Sequence, residues 1–249
     1  MLVAAAVCPC PPLLVPAVAA GAAPELDAAR AACTDALGVL AAARPDRLVV
    51  VGPVDAGGSG AYPEAGPYGE TGPYLEGTPG SFRGFGVDLG VHLGREQAAE
   101  PQRELPASLA VAAWLLERTG WSDAPIEGLG VAEPLDVDRC VRLGRDIAGR
   151  ARRVALLVMG DASACRTVKA PGYLDERAAP FDAEIARALG AADVEALKAI
   201  DTGLARELKA SGRAPWQVLA GAAEDAGLSG ALLYEDAPYG VGYLVAAWS

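Results

Sequence analysis

Two runs limit how this chain can fold: RLVVVG at 47–52 and RVALLVMGD at 153–161. Both are almost unbroken apolar stretches, rich in Val and Leu and too short for a typical helix. They read as strands buried on both faces, which requires cover above and below the sheet. The rest of the chain supplies that cover by alternation. LVAAAVC reads as a first strand and residues 24–44 as an amphipathic helix. Residues 104–120 form a second helix pattern ending at Gly120, IEGLGVA a strand, and 137–151 a third helix. Further helices are expected at 178–189, 193–211 and 214–226, before GALLYEDAP and GVGYLVAAW close the chain as two strands joined by a turn. SFRGFGVDLG (81–90) reads as one more strand. Residues 53–80 are so rich in Gly, Pro and Tyr that neither helix nor strand is expected to persist, and a loop of that length is usually functional. With no repeat and no linker, the expectation is one α/β domain over 1–249. Its central sheet is mostly parallel or mixed, with helices on both faces and a C-terminal β-hairpin.

Bulk properties narrow the partners. A net charge of −11 argues against nucleic acid, whose phosphates need clustered Lys and Arg. Although 52% of residues are hydrophobic, no run reaches the 18 or so that a membrane helix requires. VAAGAA near the N-terminus resembles a signal-peptide cleavage site, but no basic residue precedes it and prolines interrupt the apolar core. Five scattered cysteines, at 8, 10, 33, 140 and 165, are unlike a disulfide framework. The expectation is a cytoplasmic protein. Its abundant alanine and only three lysines fit the coding bias of a GC-rich bacterial genome.

VCPCPP (7–12) sits where the first strand would break into a loop, the edge at which open α/β sheets place their working residues. Cys8 and Cys10 lie too close for an unstrained disulfide, and no second pair completes a zinc site. Buried strand-end cysteines often serve as small hydrophobes. His92, the single histidine, excludes any site needing two imidazoles. It is either a lone general base or a hydrogen-bonded loop histidine. There is no nucleophile elbow and no P-loop. The richest stretch is VMGDASACRTVKAPGYLDERAAPFDAEI (158–185), where a buried strand ends in Gly-Asp-x-Ser. Asp161 there could cap a turn or act as acid, base or ligand, with Ser163 beside it.

Three segments, in order, resemble the subunit-B-type class III extradiol ring-cleavage dioxygenases, a superfamily that includes the Memo-like proteins. CPCPPLLVP (8–16) is similar to the family's P-H-P-P-L-L, and GDASACRT…APGY…FD (160–182) to its G-D-L-S-H-R-L-T…A-P-x-G-Y…F-D. YEDAPYGVGYLVA (234–246) is similar to its closing hairpin. The resemblance implies a ferrous iron site held by two histidines and a glutamate. Here Cys10 stands at the first histidine's position, Val54 or Asp55 at the second, and Ala164 at the catalytic base, while Glu235 is the candidate glutamate. Cys10, Asp55, Ala164, Cys165 and Tyr173 are then expected on the rim of the old iron pocket.

The resulting expectation is a dioxygenase-like protein without the iron centre or ring-cleaving activity, keeping a small-molecule pocket or an interaction surface. No cofactor is expected; a divalent metal on the remnant Cys10, Asp55 and Glu235 is the exception. The alternative is an active enzyme on an aromatic or carbonyl substrate, using another metal site or none, with Asp161, Ser163 or His92 as catalytic candidates. A scaffold protein is the third reading, and Tyr62, Tyr68 and Tyr74 fit either a lid or a contact surface. The resemblance also points to a homodimer.

Overall fold

The computed structural model describes residues 1–54, 70–95 and 103–249. Its strands are β1 (Leu2–Cys8), β2 (Arg47–Val54), β3 (Thr71–Leu75), β4 (Pro79–Ser81), β5 (Gly90–His92), β6 (Ile126–Ala132), β7 (Val154–Met159), β8 (Gly230–Asp236) and β9 (Tyr243–Trp248). Its helices are α1 (Pro16–Ala19), α2 (Asp27–Ala42), α3 (Ala107–Thr119), α4 (Val137–Gly149), α5 (Ala178–Gly190), α6 (Val194–Lys198), α7 (Thr202–Glu207) and α8 (Arg213–Ala223). None of the helices described is long and apolar enough to cross a membrane.

Seven strands form the main sheet in the order β3-β6-β2-β7-β1-β9-β8. The four central strands, β6, β2, β7 and β1, run parallel, so their carboxyl ends meet along one edge. β3 joins one side antiparallel, and the β8–β9 hairpin joins the other. The apolar strands alternate strictly between two cores. Val49, Val51, Leu156 and Val158 face one side with α4, α5 and α8, while Leu48, Val50, Leu157 and Met159 face the other with α2 and α3. This is the period-2 consequence of a strand buried on both faces.

Two expectations about strands need correction. Within 53–80, Thr71–Leu75 forms a strand, β3, paired with β6. Pro73 removes an amide donor there, which costs little because β3 is the sheet's edge strand. The single strand expected over 81–90 is instead the end of β4, a 3-10 turn at Arg83–Phe85 and the start of β5. Gly86 makes that reversal, at φ +83.

Candidate functional site

β1 and β7 leave the sheet side by side, and a single carboxylate ties their exits together. The Gly160 amide continues the ladder by donating to the Cys8 carbonyl at 3.0 Å. One residue on, the Cys10 amide donates to Asp161 Oδ1 at 2.9 Å. Asp161 is itself held from behind, its own amide donating to Ser211 Oγ at 3.0 Å and its carbonyl accepting from Gly212 at 2.9 Å. Gly160 is required because a side chain there would meet Gly212 Cα at 2.4 Å. Asp161 thus stands half-buried at the carboxyl edge with one oxygen fixed and the other unbonded among the described residues.

Burial dominates the electrostatics. It pushes the Asp161 carboxyl up to about 7, against the Cys10 amide, which favours the charged form. Burial, then the charge of Asp161, holds the Cys10 thiol well above its usual range, with Ser211 pulling the other way. Cys8 is raised by its hydrogen bond with Cys33, then by burial. The Tyr243 hydroxyl is raised by burial first, then by Asp161, Tyr239 and Cys10. At neutral pH this edge therefore presents protonated thiols and a carboxyl poised near its midpoint, a composition suited to proton exchange and poorly suited to thiolate chemistry.

The loop after Asp161 is built around Asp182. This carboxylate, 1% exposed, accepts from the Ser163 amide at 2.8 Å, the Ser163 hydroxyl at 2.9 Å and Arg166 Nη1 at 2.9 Å. Ser163 is fully buried and its hydroxyl is spent on that pin, so it supports the loop rather than presenting a nucleophile. The Ala164 amide donates to the Leu208 carbonyl, as does the buried Cys165 thiol. Tyr173, 65% exposed and at φ +63, stands out into solvent.

His92 is not part of this edge. It lies on the β4–β5 ribbon, where its amide donates to Glu117 of α3 at 2.7 Å. Glu235 is exposed on β8 and borders a surface groove of about 340 Å³ with Arg166, Thr167, Asp236 and Ala237. Asp55, with Tyr62 and Tyr68, lies outside the described residues. The residues present do not fit the ferrous iron site that the resemblance implies. Cys10 offers a protonated thiol, Glu235 opens to the surface, and no three His, Cys, Asp or Glu side chains converge as a metal set among the described residues.

Sequence reasoning brought Asp161 and Cys10 to one edge correctly. It missed Ser211, Asp182 as a buried hub, and Tyr243 as neighbours. The F-D step at 181–182 was the one signal available for Asp182.

This architecture is an α/β domain whose parallel strands bring their carboxyl ends, with Cys10 and Asp161, to one edge. No family model matches the chain, and no curated protein matches it. Among solved structures the chain is similar to the crystal structure of an uncharacterized protein, JW3007, from Escherichia coli K12. The two share 14% identity with a TM-score of 0.51, covering 99% of each chain. At that identity the likeness carries the fold.

Proposed function

We propose that this chain is a small-molecule-binding relative of the class III extradiol dioxygenases in which the ferrous iron centre has been replaced. The observation that carries this reading is the Cys10–Asp161 hydrogen bond, at the place where the resemblance puts an iron-ligating histidine. A buried, protonated thiol and a carboxylate committed through one oxygen to an amide make a hydrogen-bonding site, and ring cleavage by the family mechanism lacks its imidazoles. The homodimer belongs to the same proposal and is read by light scattering on a sizing column.

The test is elemental analysis of tag-free protein, followed by anaerobic titration with ferrous ion and zinc. Neither metal is expected to bind stoichiometrically. A metal bound one to one and lost in Cys10→Ala overturns the reading and makes the thiolate a ligand.

A second reading, an enzyme without the family's metal, is favoured by one observation: Asp161 combines a free oxygen with a pKa near neutrality. It predicts turnover of an aromatic or carbonyl substrate that disappears in Asp161→Asn while substrate binding persists.

A further inference from the structure

Eight large apolar or tyrosyl side chains are exposed among the described residues, and five lie on the two segments that border one groove. The groove, of about 340 Å³, runs between Arg166 and Thr167 on one bank and Glu235, Asp236 and Ala237 on the other. The first bank continues into Val168, Tyr173 and Leu174, and the second into Leu232 and Leu233, all exposed. Single apolar side chains at a surface are ordinary, but a cluster rimmed by polar groups marks a contact surface.

Both banks are firmly held. On the first, the Gly172 amide donates to the Ala164 carbonyl at 2.8 Å, and the Tyr173 amide to Ala170 at 2.9 Å. The Arg166 amide donates to the Gly240 carbonyl at 3.0 Å, tying this loop to the turn of the β8–β9 hairpin. Tyr173 is kept at φ +63 and Lys209 at φ +57, left-handed conformations that cost a non-glycine residue. Lys209 lies against the same loop, its Nζ 3.5 Å from the Pro171 carbonyl. On the second bank, a register shift between Leu232 and Tyr234 interrupts the ladder with β9. Such a bulge spoils an edge strand as a template for another strand, so β8 offers its side chains. Leu232 rests its base on α5, its Cβ 3.2 Å from where a methyl group on Gly190 would stand, and leaves its tip in solvent.

The banks differ in charge. Lys169 and Lys209, two of the three lysines in a chain of net charge −11, stand exposed on the first. Neither forms an ion pair among the described residues, whereas Arg166 is spent on Asp182, and Arg177 on Asp175 and Glu207. Glu176 is the one unpaired acid on this bank, against those two lysines. Glu235 and Asp236 stand exposed on the second bank, with no ion pair among the described residues.

We propose that two copies of this chain meet across this groove, each seating its Leu232–Leu233 bank against the other's Val168–Leu174 bank. A two-fold axis at the groove sets Lys169 and Lys209 of each copy opposite Glu235 and Asp236 of the other, so the contact is made twice. A second copy supplies both halves of this match. A purely acidic partner would answer the lysines and repel Glu235 and Asp236. This assignment rests on the homodimer reading and adds the surface it uses.

The experiment compares the full chain with two charge-reversed variants, Lys169→Glu with Lys209→Glu, and Glu235→Lys with Asp236→Lys. Light scattering on a sizing column and sedimentation give mass and dissociation constant, and far-UV circular dichroism checks the fold. The unaltered chain is expected to be a dimer. Each variant sets like charges face to face with itself and should dimerise about a hundredfold more weakly. Mixed in equal amounts, the two variants regain opposite charges at both contacts and should form a heterodimer as tight as the unaltered dimer. Misfolded variants could not be rescued in this way. Variants that dimerise alone as tightly as the unaltered chain overturn this surface and leave the homodimer standing. Weakened variants that mixing does not rescue overturn the crossed pairing of the banks. A monomeric unaltered chain overturns the surface and the homodimer together, and leaves the small-molecule reading, which the metal titration tests, in place.

Discussion

Asp182 shows how much one residue holds in this fold. Its carboxylate satisfies a buried amide, a buried hydroxyl and a guanidinium at once. Asp182→Ala should cost about 3 kcal/mol in urea unfolding, because it strands the Ser163 amide and unpairs Arg166; a loss below about 1 kcal/mol would mean that water substitutes freely. Asp161 acts in the opposite sense. Its folded pKa of about 7 lies above the ordinary 3.8, so between those values the folded state holds a proton that the unfolded chain has released. Its contribution to stability is complete below the unfolded value and is lost as pH rises through about 7. The wild-type urea midpoint should therefore fall relative to that of Asp161→Asn between about pH 5 and pH 8. Parallel curves would show that Asp161 titrates normally. At this scale the sequence exposed what sits at strand ends. Asp161 and Cys10 follow directly from two apolar runs, whereas Ser211 lies 50 residues from Asp161 in a loop with no local signature. Tyr243 reads as an ordinary strand residue, and its place near Asp161 becomes visible only once the hairpin is set against β1.

Between elements, α4 packs close against α8, and two glycines permit it. A methyl group on Gly144 would meet the Val218 carbonyl at 2.0 Å, and one on Gly221 the Val141 carbonyl at 2.2 Å. Backbone cannot step aside as a side chain tip can, so Gly144→Ala should destabilise by about 3 kcal/mol. Gly38, inside α2, meets nothing within 4 Å. Gly38→Ala should instead stabilise by about 0.5–1 kcal/mol through helix propensity alone. The pair separates packing from propensity in one denaturation series, and equal signs would refute the assignment of either glycine. Element boundaries were legible where periodicity was strong: β2, β7 and α4 fall within a few residues of their apolar patterns. They were not legible where capping competes with periodicity. The helix expected over 193–211 divides into α6 and α7 because Asp201 accepts from the Gly203 and Leu204 amides and starts a new helix. β3 hid among glycines and prolines because its strand character comes from pairing with β6, a long-range fact.

For the molecule as a whole, the continuous apolar strands imply that the two cores cannot be independent, since every central strand belongs to both. The tryptophans divide conveniently between them. Trp216 and Trp248 are buried in the core shared with α4, α5 and α8, while Trp114 and Trp121 pack against the core under α2 and α3. If the sheet couples the faces, losing one core removes the support of the other, and unfolding is a single transition. The check uses two variants, Trp216→Phe with Trp248→Phe, and Trp114→Phe with Trp121→Phe, so that fluorescence reports one face at a time. The first pair should lower stability more, because both rings are fully buried. Within each variant, however, the urea midpoint from tryptophan fluorescence should coincide with that from far-UV circular dichroism. Midpoints that separate within a variant would show one face melting on a sheet that survives. The carboxyl edge where Cys10 and Asp161 meet would then be held by only one of the two layers. Coincident midpoints make that edge as stable as the domain, which a preorganised binding site requires.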